Sequence, residues 1–505
     1  MKFFFVFLFI IFVNTGFSQP SRFNRNYHHY PSPALYNAIE NNKIYYAIGG
    51  ATLSNSVKII ITAIDSVGNE IWNKSYGDSA HNWYADGTYM LAKAETNGYF
   101  LCITKGDSHG NDEFLLIRFD QNFDTLWTKT YLKDSVYSSG NGCLIGADGN
   151  LYIIGTKETA LHTESMLLLK TDTSGNFISS KTYSQGTNWL KQGWKIAKTI
   201  DKGFLLGGWL GYYNNALAGD WCLIRTDSLG TQLHQWTFGT TTHNDGQIAD
   251  LINTKDSGYV MVGGIYRENW GSDELGNGRI IKMDKNFQVA WDRQYKRGNY
   301  STVFRAVKEL ENGDLAVTFM KTDTLPDINH VRYSAGLMRI DANGNVLWKR
   351  DYFPFNGNTA YKVEGYLWAL SPTSDKGFIL SGYAFNPSIN PAQQSWVVKT
   401  DSMGCDGTCY CDTFTSINNI AREIKQESFT LFPNPAKEFI TILGQNSLQG
   451  SSLTITDFLG RTVYEECTQQ NTNYSKVSVK DLPAGVYFVK VQGKGCQGVE
   501  KFLKW

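Results

Sequence analysis

Charge of neither sign is in excess in this 505-residue chain: Lys plus Arg number 47, and so do Asp plus Glu. The overall charge therefore does not favour nucleic acid or an acidic membrane surface as a partner. Long apolar runs are missing after the N-terminal stretch, so no later segment approaches the roughly 20 residues that a bilayer-crossing helix needs. Catalytic signatures are missing too. There is no His-Glu-x-x-His, no Gly-x-Ser-x-Gly elbow and no phosphate-cradling Gly-rich loop ahead of a helix. Histidine is scarce, eight in all and scattered, with His28 and His29 adjacent in a stretch expected to face solvent. No metal site and no cofactor are expected from this inventory.

The N-terminal stretch reads as a secretory signal over residues 1–18. Lys2 precedes an apolar run from Phe3 to Val13, and small residues at Gly16 and Ser18 place a cut before Gln19. A retained anchor is the alternative, but the run is too short to span a bilayer, and no cysteine follows it to carry a lipid. In an exported chain the eight cysteines could form bridges. Cys102, Cys143 and Cys222 lie singly in apolar strands and read as buried free thiols. Cys405, Cys409 and Cys411 cluster in "GCDGTCYCDT", and Cys467 and Cys496 share the C-terminal region; their pairing stays open.

What is abundant is aromatic and small. Aromatics make up 14%, with 28 Tyr and 14 Trp, and glycine numbers 48, a mixture suited to short strands joined by many turns. An all-β fold is predicted. Self-similarity sharpens this. A core element recurs as "ITAIDSVGNEIW", "LIRFDQNFDTLW", "LLKTDTSGNFIS", "LIRTDSLGTQLH", "IIKMDKNFQVAW", "LMRIDANGNVLW" and "VVKTDSMGCDGT". Its aspartates, Asp65, Asp120, Asp172, Asp227, Asp284, Asp341 and Asp401, are 52 to 60 residues apart. Each unit reads as four strands: a mixed one, a tight turn into an apolar one, a third that runs into Asp-x-x-Gly, and a fourth of the form aromatic-x-basic-x-aromatic. A carboxylate that bonds its own downstream backbone, followed by a glycine accepting positive φ, makes Asp-x-x-Gly a hairpin turn rather than a calcium loop.

Seven four-stranded units predict a seven-bladed β-propeller. The seventh lacks its fourth strand after Gly404. The missing piece stands at the other end of the chain, where Phe23-Asn24-Arg25-Asn26-Tyr27 matches Trp72-Asn73-Lys74-Ser75-Tyr76 position for position. The N-terminal strand is thus expected to complete the last blade and close the ring. The Asp-x-x-Gly-x-x-x-Trp rhythm resembles the docking-motif repeats of quinoprotein-like propellers, in which the Trp packs blade on blade; the vicinal cysteine pair of many quinone-binding members is absent.

From about residue 427 the pattern changes to six or seven strands of a small sandwich. Phe432-Pro433-Asn434-Pro435, then Asp457 with Gly460 and Val463, then Leu482 with Gly485 and Tyr487, and a basic and apolar tail from Lys501 to Trp505 follow in order. This segment resembles the type A C-terminal sorting domain of the type IX secretion system. The resemblance implies an Ig-like sandwich, a partner in the secretion machinery and export across the outer membrane of a Gram-negative bacterium. Such tails are usually removed, with the cargo attached to surface lipopolysaccharide or released. The predicted layout is signal 1–18, propeller 19–404, cysteine-bearing linker 405–426 and sorting domain 427–505.

Function then rests on the propeller. The connections from second to third strands and between units read as long and variable, and in a propeller they share one face. Their content is aromatic and amidic: "GDSAHNWYADG" (77–87), "SQGTNWLKQ" (184–192), "GWLGYYNNALAGD" (208–220), "GIYRENWGSDELGNG" (264–278) and "YFPFNGNTAY" (352–361). Tyr and Trp supply stiff surfaces with a polar tip, and Asn, Ser and Gly supply adaptable hydrogen bonds. The candidate ligand-binding residues are Trp83, Tyr84, Trp189, Trp209, Tyr212, Tyr213, Tyr266, Trp270 and Tyr361, with a glycan or a protein as ligand. The alternatives are an enzyme, either a quinoprotein-like oxidoreductase or a hydrolase with carboxylates such as Asp220, Asp273 or Glu274, and a structural adhesin.

Overall fold

A computed structural model describes residues 21–505 apart from 86–89, 96, 108–111, 133–136, 214, 240–245, 266–275, 296–301, 326–329, 358–361, 408–428, 445–446, 449–450, 458–461, 468–471 and 493–496. The signal stretch lies outside the described residues. The chain divides into two compact units, residues 1–410 and 411–505. Among the described residues both are all-β, with one short helical turn at Pro354–Gly357.

In the first unit, seven antiparallel groups of strands, numbered as sheets, follow one another along the chain, the third and fourth sharing one eight-stranded sheet. Sheet one is Ala34–Asn41, Ile44–Leu53, Ser56–Ile64 and Glu70–Tyr76, paired in chain order. In sheet two the first strand is split into Asn82–Tyr84 and Leu91–Lys93, both on Tyr99–Gly106. Sheet three (Ser138–Ile145 to Phe177–Tyr183) and sheet four (Trp189–Lys198 to Gln232–Phe238) are joined by a bridge between Glu164 and Leu190. Sheets five (Ile248–Asn253 to Val289–Tyr295) and six (Thr302–Glu309 to Val346–Tyr352) repeat the plan. Sheet seven holds Glu364–Pro372, Phe378–Phe385 and Gln393–Thr400, and its fourth strand is Phe23–Tyr27, with Phe23 opposite Lys399 and Tyr27 opposite Ser395.

Second and third strands are apolar on both faces because a neighbouring sheet covers each face, as with the wholly buried Ile59, Ile60 and Ile61. Seven hydrophobic clusters among the described residues lie between consecutive sheets, and the last joins sheet seven to sheet one through Phe23, Tyr27, Leu35, Ala47 and Val397. Cys102, Cys143 and Cys222 are buried free thiols, as expected. Cys405 is disulfide-bonded, while Cys409, Cys411 and Cys496 lie outside the described residues.

The seven Asp turns, five of them Asp-x-x-Gly, are one turn built seven times. Asp65 Oδ1 accepts from the backbone N–H of Val67 and Asn69 at 2.9 and 2.8 Å. Asp120, Asp172, Asp227, Asp284, Asp341 and Asp401 do the same with their own second and fourth neighbours. The third neighbour takes positive φ: it is Gly in five turns, but Phe123 (62°) and Phe287 (63°) in the other two. A side chain disfavours that conformation. Here burial offsets it, since Phe123 stacks on Tyr99 at 4.7 Å and Phe287 on Tyr259 at 5.3 Å.

The fourth-strand motif is explained by the next sheet's turn. Its closing Tyr donates to the carbonyl of the positive-φ residue one sheet on: Tyr76 to Phe123 (2.6 Å), Tyr131 to Gly175 (2.7 Å), Tyr183 to Gly230 (2.7 Å), Tyr295 to Gly344 (2.8 Å) and Tyr352 to Gly404 (2.7 Å). Tyr27 of the N-terminal strand makes the same bond to Gly68 at 2.8 Å. Sheet four has Phe238 at this position and so has no hydroxyl to donate. The basic residue reaches the same turns, as in Lys74 to Asp124 at 2.6 Å and Arg293 to Asn345 at 3.0 Å. The leading Trp covers the turn glycine: a Cβ on Gly175 would stand 2.6 Å from Trp127, and one on Gly404 2.6 Å from Trp348.

One expectation is corrected. In sheets one, three and four the second and third strands are joined by two-residue turns, with Leu53 paired to Ser56, Ala160 to Thr163 and Tyr212 to Asn215. The stretch 208–220, read as a long connection, is instead the ends of two long strands, Phe204–Tyr212 and Asn215–Thr226, whose backbone pairing continues to Tyr212 opposite Asn215.

Tyr27→Phe and Tyr352→Phe are each expected to cost about 1 kcal/mol, the loss of one buried hydrogen bond. Deleting residues 21–30 should lower the melting temperature far more, because it uncovers the edge of Gln393–Thr400. Thermal unfolding of the three variants checks both, and an unchanged midpoint in the deletion would show that the N-terminal strand carries no stability.

Candidate ligand-binding face

At the end of each sheet opposite the Asp turns, the first strand carries a one-residue bulge in six sheets, at Tyr36, Asn141, Trp194, Ala249, Arg305 and Trp368. A bulge re-aims a side chain that regular pleating would bury. Two aromatic clusters form at this end.

The first spans sheets three and four and gathers four predicted residues. Trp189 lies opposite Tyr212 and meets it edge-on at 5.5 Å. Tyr213, exposed, stacks on His162 of sheet three at 3.8 Å, and its backbone N–H donates to Asn188 at 2.9 Å. Trp209, half-buried, lies flat over two glycines: a Cβ on Gly219 would fall 1.8 Å from its indole nitrogen, and one on Gly211 2.4 Å from its ring. Beside them Glu164 accepts from Gln192 Nε2 at 2.8 Å and faces Glu158 directly across the strand pair. Burial raises the Glu164 carboxyl above its ordinary range, Gln192 opposes this and the Glu158 charge adds to it.

The remaining predicted residues are not brought here. Trp83 and Tyr84 form the short strand Asn82–Tyr84 of sheet two, and Trp83 packs on the cluster between sheets one and two, its indole N–H buried without an acceptor. Tyr266, Trp270 and Tyr361 lie outside the described residues, as do Asp273 and Glu274. Asp220 stands in a strand opposite Leu210, its carboxylate against Gly239.

The second cluster was not anticipated from sequence, because its residues are in strands rather than loops. Tyr333, Tyr366 and Tyr383 stack in a row at 5.6 and 4.6 Å across sheets six and seven, and Tyr366 donates to Glu364 at 2.8 Å. Trp368 meets Tyr36 of sheet one at 5.8 Å, and the Arg305 guanidinium of sheet six lies 4.4 Å over the Trp368 ring. The signal available was the repeat register, which places Tyr366 and Tyr383 where sheet four has Gln192 and Trp209. Among the described residues no group of three His, Cys, Asp or Glu stands ready to hold a metal ion.

In the second unit, Phe429–Phe432, Phe439–Gly444 and Tyr474–Ser478 form one sheet, and Thr462–Cys467, Ser452–Asp457, Gly485–Gln492 and Gln497–Lys504 the other. They share a core that includes Ile440, Leu453, Val489 and Phe502. The Phe432-Pro433-Asn434-Pro435 stretch is bound to the terminal strand. Asn434 donates to Lys501 and accepts from Leu503, both at 2.9 Å, and the Ala436 carbonyl accepts from Trp505 at 3.0 Å. Tyr487 stacks on Phe502 at 5.5 Å and donates to Pro483; Leu482 packs on the core, Gly485 opens its strand, and Asp457 is buried. Gly460 lies outside the described residues, and Phe432 is exposed.

Residues 430–504 match the secretion system C-terminal sorting domain. This tail directs secretion to the cell surface or beyond it, and it implies contact with the type IX machinery. No helix among the described residues is long and apolar enough to cross a membrane. No curated protein matches the chain. Among solved structures, the polysaccharide lyase Uly1 is 9% identical over 77% of this chain and 94% of its own, with a TM-score of 0.43. A PL25 ulvan lyase is 9% identical over 75% and 96% (TM-score 0.45). Drosophila Plexin A, in a complex with Semaphorin 1b, is 8% identical over 75% and 88% (TM-score 0.40). Likenesses this distant assign no chemistry.

Because Glu164 keeps its proton more readily folded than unfolded, its contribution to stability is present at low pH and lost as pH rises through its raised value. Glu164→Gln is therefore expected to match the parent's melting temperature near about pH 4 and to exceed it at neutral pH. Melting curves across pH check this; a lower midpoint at neutral pH would contradict it.

Proposed function

We propose that the protein is an exported glycan-binding module: a seven-bladed β-propeller over residues 19–404, completed by its N-terminal strand, joined through a linker at 405–426 to an Ig-like sorting sandwich at 427–505. A signal peptide at 1–18 would deliver it to the periplasm of a Gram-negative bacterium. The sheet-to-sheet clusters, one of them between sheets seven and one, support the ring.

The observation that carries the binding reading is the grouping of Trp189, Trp209, Tyr212 and Tyr213 around the Glu164–Gln192 pair. A sugar would lay its C–H face on an aromatic ring and direct its hydroxyls to the carboxyl and amide. The carboxylates Glu158 and Glu164 suit neutral sugars. A glycan array probed with the full chain is expected to give hits among neutral glycans that are lost in Trp209→Ala and Tyr213→Ala, with melting temperature as the fold control. Hits unaffected by both substitutions would place binding elsewhere.

A second reading, glycoside hydrolysis, is favoured by one observation. Glu158 and Glu164 are direct cross-strand partners, a pair of carboxyls such as glycosidases use, and Glu164 has the raised affinity for its proton that a general acid needs. Release of reducing ends from a neutral polysaccharide, abolished in Glu164→Gln, is the outcome on that reading. No release by the parent protein removes it.

A further inference from the structure

The second cluster differs from the first in its chemistry. Arg305 occupies the bulge of the first strand of sheet six, which turns its guanidinium out of the pleat and over the face of Trp368. Its Nε is used on Met320, at 3.2 Å from the sulfur, and it makes no ion pair among the described residues. Its terminal nitrogens are left with donors to offer. The Trp368 indole N–H is a further donor, buried with no acceptor. A stacked guanidinium is held flat and oriented without being neutralised, the state in which it forks onto a carboxylate or sulfate.

Acceptors are few by comparison. Glu364 is the carboxylate of the cluster, and the Tyr366 hydroxyl occupies it. Burial raises the Tyr383 pKa, Glu364 adds to this and Arg305 opposes it, so the cluster carries one charge of each sign, at Arg305 and at Glu364. Between them runs the stack of Tyr333, Tyr366 and Tyr383, a series of ring faces spaced at 5.6 and 4.6 Å.

We propose that this cluster is a second binding site, specific for acidic glycans: Arg305 takes a carboxylate or sulfate on the sugar while the tyrosines and Trp368 carry the rings. The site stands on its own residues, shares none with the cluster on sheets three and four, and does not depend on the neutral-glycan reading.

Three polymers test it on the full chain by isothermal titration: dextran, dextran sulfate and polygalacturonate. The parent protein is expected to bind at least one of the two acidic polymers, more weakly as salt rises. Arg305→Gln is expected to lose about tenfold or more in affinity, the cost of a charged hydrogen-bonding partner, with an unchanged melting temperature, and Arg305→Lys to recover part of it. Tyr333→Ala should weaken the same polymers, and Trp209→Ala should leave them unaffected. Failure of the parent to bind either acidic polymer overturns the proposal, as does equal binding by Arg305→Gln. Loss of neutral-glycan binding in Trp209→Ala bears only on the first site, so the two readings fail separately. Equal affinity for dextran and dextran sulfate, with no polygalacturonate binding, would also sink the acidic specificity.

Discussion

The hydrogen bond from a fourth-strand tyrosine to the turn carbonyl of the next sheet is the contact on which the first unit depends. It needs a turn held open by an aspartate, a residue at positive φ whose carbonyl faces outward, and an aromatic strand at the right distance. Each sheet except sheet four, which has Phe238 in place of the tyrosine, thereby orients its successor. Burial between sheets supplies most of the stabilisation, but it is non-directional. The tyrosine bond is directional, and it is made again between the N-terminal strand and the first turn.

With one end of every sheet committed to this register, the opposite end is free to vary. There the bulges of the first strands put unlike residues in equivalent places: Tyr36, Asn141, Trp194, Arg305 and Trp368. The cluster of sheets three and four combines rings with two carboxylates, and that of sheets six, seven and one combines rings with a guanidinium. One repeat geometry thus presents two surfaces of different chemistry, the second carrying Arg305 together with Glu364. The sorting domain is independent of this variation, because Asn434 and Ala436 recognise only the backbone of the terminal strand.

Much of this was legible in the chain. The all-β class, the seven repeats and the sorting motif follow from local pattern, since turn chemistry and strand periodicity are properties of neighbouring residues. Trp189, Trp209 and Tyr212 were read as loop residues and stand in paired strands, with Tyr213 in the turn that follows. Trp83 packs on the core between sheets one and two, and an aromatic in a polar stretch can as well cover a core as face a ligand. The Tyr333–Tyr366–Tyr383 stack was missed because it joins residues from two sheets, and no local window contains both.

What the sequence determined by itself was what short-range chemistry determines: where strands begin and turn, which residues repeat, and that a strand like "FNRNY" belongs with the others of its kind. Which bulged side chains meet, and where a guanidinium lies flat on an indole, were decided by tertiary structure. Those contacts span up to hundreds of residues, and their geometry exists only once sheets pack face to face.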